Sequence, residues 1–199
     1  MTYSGQGWRE QPASSEEMFD IFLIMKQLHE ICWYLYEALS YDLPTSLMKE
    51  AQQLLSETEK VTGAPPHEVQ AFNLFIHHSQ VSALLREVSQ HVRDHLSQQL
   101  SIHATKILNT KQKKDYLGTD LRKVELRCAD LRGCLLIAAN LEGADLSGAD
   151  FLGSDLRDTN LRGADLSQSI FLTQSQINVA QGNSRTKLPV SLSRPAHWV

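Results

Sequence analysis

From Leu121 to Phe171 a Leu or Phe recurs every five residues, eleven times without an insertion. The series is Leu121, Leu126, Leu131, Leu136, Leu141, Leu146, Phe151, Leu156, Leu161, Leu166 and Phe171. Neither a helix, with a period of about 3.6, nor a flat strand, with a period of 2, repeats on five. An internal repeat of this regularity decides the architecture before any other feature is read. Two positions before each Leu or Phe stands a small or β-branched residue, such as Ala144, Cys134 or Thr159. The residue between is acidic or Asn, except at Leu135 and Ile170. In extended chain, residues two apart share a face. The small residue and the central Leu therefore point inward, and the acid between them points outward. Five is odd, so a straight strand would bring the next Leu to the wrong face. The chain must turn once per unit, and Gly133, Gly143, Gly148, Gly153 and Gly163 stand at the second corner position, where a side chain would crowd the backbone.

The segments "GADLSGAD" and "LRGADLS" resemble the pentapeptide-repeat family, with the pattern A-(D/N)-L-x-x. The resemblance covers residues 115–172, with Tyr116 as an atypical twelfth centre. It implies a right-handed quadrilateral β-helix with four units per coil, about three coils in all. Residues twenty apart then stack on one side. Phe151 falls beneath Phe171, and Arg122, Glu142 and Arg162 form an outer ladder of alternating charge. Val124, Leu135, Ile170 and Cys134 depart from the pattern. An open coil end exposes unpaired backbone and apolar axis residues, so both ends need covers. "TQSQINVAQG" supplies one: Thr173 and Gln176 have capping-box spacing, and Gly182 closes a short helix. The closing segment also looks like the ending of many bacterial members of this family.

Residues 14–108 follow a helical period instead. Ser14 and Glu17 have capping-box spacing, and Ile21, Met25, Leu28, Cys32, Leu35 and Leu39 make one apolar seam. Pro44 ends that helix. A second runs from about Thr45 to Lys60 and closes near Gly63. A third starts near Pro66 and extends toward Leu108, with Leu74, His78, Val81, Leu85, Val88, Val92 and His95 as its seam. Such helices are marginal alone and pack into a small bundle. The predicted class is thus α+β: a flexible N-terminus over 1–13, a helical bundle over 14–108, a polar junction over 109–114, the β-helix over 115–172, and a C-terminal cap and extended tail over 173–199.

Of the 199 residues, 42% are hydrophobic and 21% charged, and the net charge is −4 with eight His beside it. That balance predicts no direct nucleic-acid binding. Apolar runs such as Ile21 to Met25 do not exceed six residues, far short of a membrane span, and the N-terminus lacks the pattern of a signal peptide. Three scattered cysteines, Cys32, Cys128 and Cys134, fit reduced thiols and a cytoplasmic protein. His91 and His95 have the spacing of two ligands on one helix face, but no HExxH or CxxC accompanies them. The repeated Asp residues are outward or corner-bonding groups rather than acid–base pairs. No catalytic residue and no cofactor is expected.

Where the pattern asks for a polar outward residue, the chain carries Leu135, Ile137, Leu152, Ile170 and Leu172. Leu152, Ile170 and Leu172 share one side, and Leu135 and Ile137 the next. Such a patch marks an interaction surface, or is covered by the bundle or by "KLPVSLSRPAHW". The leading expectation is a non-catalytic scaffold or interaction module with a protein partner, a homodimer included. The family resemblance adds a second class: antibiotic resistance or self-protection by target binding, including imitation of duplex DNA at a topoisomerase. The repeat carries ten acidic and six basic residues, the right sign for that. Three coils at ~4.8 Å span only about 14 Å, however, the length of roughly eight phosphates. A metal-binding helical-bundle enzyme is the third class.

Overall fold

The computed structural model describes residues 15–100 and 115–198. Ser14, the 1–13 segment, the end of the expected third helix and the 109–114 junction lie outside the described residues. By packing, the chain forms two units that divide between Val88 and Ser89.

The first unit is helical. It contains α1 (Ser15–Leu39), α2 (Thr45–Thr62), α3 (Pro66–Ala71) and the first half of α4 (Leu74–Gln99). Glu16 and Glu17 place negative charge in the first turn of α1, where the helix dipole favours it. Leu28, Leu35 and Ala38 of α1 and Ala51 of α2 are fully buried. Met25, Cys32 and Leu39, assigned to the α1 seam, are only half-buried; Ile31 and Tyr34 take the buried places. α2 follows Pro44 and ends at Gly63 as expected. Gly63 keeps an ordinary right-handed φ of −90°, so it is not a left-handed cap. The expected third helix is two helices. Phe72 is extended, and the Asn73 side chain caps α4 by accepting from the Ile76 N–H at 3.1 Å. Past this break the seam holds at Val81, Leu85, Val88 and Val92, but at its start His77, not His78, is buried, at 2% exposure.

The second unit holds Ser89–Gln99 of α4, the repeat and the C-terminal segment. Along the repeat, parallel bridges join residues twenty apart, in columns such as Asp115–Leu135–Asp155, Asp120–Asn140–Asn160 and Asp130–Asp150–Ile170. The same register appears in the backbone bonds: Leu141 N–H donates to Asn160 C=O, and Asn160 N–H to Ala139 C=O, both at 2.9 Å. Each bridge is isolated, and among the described residues no extended strand forms. A side of the turn is too short to be one, because the chain bends again within two or three residues. All eleven central residues are at most 3% exposed, and Tyr116 joins them at 4%. Phe151 and Phe171 are both fully buried, but Phe171 has a left-handed φ of 55°, and Leu172 joins the core cluster of the repeat.

The corner glycines have φ of 60° to 69°. Cys128, Ala138 and Asp158 take the same left-handed conformation without being Gly, at φ 54° to 56°. That conformation costs an L-residue roughly 1–2 kcal/mol.

The C-terminal segment continues the register irregularly, with Gln181 bridged to Asn160 and Lys187 to Asp165. α5 (Gln174–Asn178) has the expected capping box: Thr173 accepts from the Gln176 N–H, and the Gln176 side chain from Thr173 N–H. The helix ends at Val179, short of Gly182. Gly182 serves another purpose. A Cβ there would stand 2.3–2.5 Å from the Trp198 ring, so the indole can lie on the backbone only because Gly182 has no side chain. The Trp198 Nε1–H donates to Ala180 C=O at 2.9 Å. Ile177, Ala180, Leu192 and Trp198 complete the apolar core of the repeat.

Candidate functional site

The outward acids are structural first. Asp115, Asp120, Asp130, Asp145, Asp150, Asp155 and Asp165 each accept a hydrogen bond from the backbone N–H two residues on. Each therefore holds the corner that follows it, as an Asx-turn does. Several carry a second partner. Arg122, Arg127, Arg132 and Arg157 fold back onto Asp120, Glu125, Asp130 and Asp155, each with two guanidinium N–H groups. Lys187 does the same for Asp165 at 2.7 Å. The Arg122 bonds hold the Asp120 carboxyl well below the usual range, at about 2. The expected Arg122–Glu142–Arg162 ladder gives way to these local pairs. Arg162 donates instead to Gln181.

The five outward apolar residues separate into three levels of burial. Ile170 and Leu172 are 1% and 2% exposed and belong to the interior, which corrects their assignment to an interaction surface. Leu172 packs in the core cluster with Ile177, Ala180, Leu192 and Trp198. Ile170 continues the Asp130–Asp150 column, whose outer side meets α4. Leu152 and Ile137 are half-buried. Leu135 is 44% exposed, and Leu117, which the pattern of five did not flag, is 63% exposed. Leu117 lies one coil before Ile137, since Gly118 N–H donates to Ile137 C=O and Tyr116 N–H to Leu135 C=O. Leu117, Leu135 and Ile137 thus form one aliphatic patch. Its signal in the sequence was the position after Tyr116, read as a twelfth centre.

The Asp130–Asp150–Ile170 column is covered by the last turns of α4. Ser89, fully buried, donates its hydroxyl to Asp150 Oδ2 in a very short hydrogen bond. Arg93 Nε–H donates to Ser89 Oγ at 3.1 Å, and Arg93 Nη1 to Cys128 C=O at 3.3 Å. Leu96 lies over Gly148, where a Cβ would come 3.1 Å from Leu96 Cδ1 and 2.9 Å from Cys128 Sγ. Positions i, i+4 and i+7 of one helix face therefore meet one side of the repeat. Asp150 is fully buried. Arg132 Nε stands 3.3 Å from Asp150 Oδ2, while its Nη2 bonds Asp130 at 2.5 Å. Burial pushes the Asp150 carboxyl up to about 6, against the pull of Ser89, the Leu152 N–H and the two guanidinium groups.

In the helical unit, His77 is the buried polar group. Thr58 Oγ1 donates to Leu54 C=O at 2.7 Å, so its 2.8 Å contact with His77 Nε2 is one in which the ring donates. Nδ1 is then bare, with no hydrogen-bond partner and Glu57 at 3.8 Å. Burial lowers the His77 pKa, and the neighbouring Glu57 charge opposes that. His91 is half-buried and engaged, and His95 is exposed beside Gln99. Among the described residues, no three His, Cys, Asp or Glu side chains converge as a metal-ligand set, and no helix is long and apolar enough to cross a membrane. No cysteine of the chain is in a disulfide; burial pushes the Cys128 thiol up.

The comparisons agree with the pattern of five. The family description "Pentapeptide repeats (8 copies)" matches residues 134–171, while the register itself begins at Asp115. The chain is 43% identical over 198 residues to the "Uncharacterized protein YybG" of Bacillus subtilis (strain 168), a match that spans all of this chain and 69% of that protein. With its helical N-terminal region and its repeats, the chain belongs to the pentapeptide-repeat family.

Proposed function

We propose that this protein is a non-catalytic protein-interaction module whose repeat is a short right-handed quadrilateral β-helix. The four bridge columns and their twenty-residue register support that geometry. The function rests on one observation: Leu117, Leu135 and Ile137 stack on one face of an otherwise polar repeat. Exposed aliphatic side chains held on a rigid surface are what a protein partner buries. The thiols suit a reducing compartment, the cytoplasm.

Imitation of duplex DNA fits less well. Asp120, Glu125, Asp130, Asp155 and Asp165 are each neutralised by an Arg or Lys folded onto them, so the outer faces do not display a bare ladder of negative charge.

A photo-crosslinking residue at Leu117 tests the reading, with one at Ser167, two columns round, as control. In cells, position 117 should give discrete protein adducts, a second copy of this chain among the possible products. Leu135→Asp should abolish them, and position 167 should give none. Equal or absent adducts at both positions would rule the face out. Inhibition of topoisomerase supercoiling by the purified protein would favour DNA imitation instead.

A further inference from the structure

We propose that the last turns of α4 form a proton-operated clasp on the repeat, with Asp150 as the group that takes up and releases the proton. The clasp is built from Ser89, Arg93 and Leu96 on the helix and from Asp130, Arg132, Gly148 and Asp150 on the repeat.

The two guanidinium groups that face Asp150 are both shared with other partners. Arg132 directs its Nη2 to Asp130 at 2.5 Å and reaches Asp150 only at 3.3 Å, through Nε. Arg93 spends its guanidinium on Ser89 Oγ, Cys128 C=O and the Gln90 side chain, and stands 3.6 Å from Asp130. The coil above contributes Ile170, which carries no charge. The Cys128 thiol is buried and its pKa raised. Besides the shared Arg132 Nε, Asp150 has one hydroxyl and one backbone N–H as close donors. That set serves a neutral acid, which needs fewer donors than a carboxylate stripped of water.

Opening the clasp hydrates Asp150 and returns it to ordinary carboxylate behaviour. The seated form therefore binds the proton more tightly than the open form. By linkage, acid seats the clasp, and rising pH loosens it until both forms are ionised. The proton comes from solvent and returns there. The window runs from the ordinary value of 3.8 to about 6 in the seated form. Opening uncovers Asp150 and, with it, the column that includes Ile170. Any use of that column by a partner rests on the interaction reading above, but the clasp itself operates without one.

The test is amide hydrogen exchange of the full chain across Ser89–Gln99, from pH 4 to pH 8, corrected for intrinsic rates. Protection should fall by up to about a hundredfold across the window, since two pK units set the coupling. It should be level above about pH 6.5, where both forms are ionised. Asp150→Asn keeps the shape of the neutral acid, and its protection should stay at the low-pH level throughout. A carboxyl carbon resonance of Asp150 titrating near pH 6 in the unmodified protein supplies an independent measurement should the variant fold poorly. Protection of Ser89–Gln99 that does not change with pH, or an Asp150 titration at the ordinary value, would overturn the clasp. Because no partner is present, its failure would leave the crosslinking result untouched.

Discussion

The helical unit and the repeat unit each bury a titratable side chain beside a hydroxyl, and acid acts on the two in opposite directions. His77 lies against Thr58, with its Nδ1 bare and its pKa lowered. Asp150 lies against Ser89, with its pKa raised. Burial disfavours the charged form in both cases. For a base the charged form is the protonated one, and for an acid the deprotonated one. One cause therefore produces two signs. The contribution of His77 is present above its unfolded pKa, near 6.5, and is lost as pH falls through the lower folded value. That of Asp150 is present below about 3.8 and is lost as pH rises to about 6. The same desolvation makes the contribution of His77 acid-labile and that of Asp150 acid-favoured.

The largest expected effect attacks the repeat alone. Gly182→Ala would drive a methyl into the Trp198 ring. Loss of the seated indole should cost about 3 kcal/mol, the scale of a large buried side chain. Urea unfolding followed by exchange should show this in the repeat amides, with α1 and α2 unchanged. Equal loss in both units would mean that they unfold together.

The second prediction concerns the opposed signs. Between pH 4 and pH 6.5 the stability of the repeat unit should fall by up to about 3 kcal/mol on account of Asp150, two pK units at about 1.4 kcal/mol each. Over the acid side of pH 6.5 the helical unit should weaken as pH falls. His77→Gln, which keeps a donor for Thr58, should flatten that dependence and leave the repeat's own dependence in place. Per-segment exchange in denaturant reads both at once. A shared sign in the parts removed by His77→Gln and by Asp150→Asn would contradict the comparison.

The smallest effect is the most direct contrast of backbones. Ala138 has φ of 54° in the repeat, and Ala83 is an exposed residue inside α4. Ala138→Gly should stabilise by about 0.5–1 kcal/mol, because relief of a left-handed alanine exceeds the added chain entropy. Ala83→Gly should destabilise by about 1 kcal/mol. Thermal melting of the two variants compares them. Destabilisation by both would show that the strain at Ala138 is relieved by its surroundings.

The two units also differ in how far they can be read in advance. The repeat was legible because its period is rigid. Each Leu occupies an inward place set by local geometry, so the corner role of the acids follows from counting. The Thr173 capping box was legible for the same reason: its bonds span three residues. In the helical region the period tolerates small rotations, and a local break changes which residues beside it are buried. Asn73, a good cap, split the expected third helix and exchanged His78 for His77.

By itself, the sequence determined the eleven-residue axis, the twenty-residue register, the turn at each corner and the membership of the family. These depend on neighbours in the chain and on backbone bonds that repeat. Only the tertiary structure decided which outward residues remain outside. Ile170 stands in the same acid slot as Leu135, and Leu172 in the corner slot after the next centre, yet two are interior and one is exposed. What covers them is a helix whose Ser89 lies 61 residues from its Asp150 partner and a tail that carries Trp198. Asp150 looks like its six neighbours in the pattern, and its different proton affinity follows from that long-range cover. Desolvation is a property of what lies above a residue, and the five-residue rule says only where the residue points.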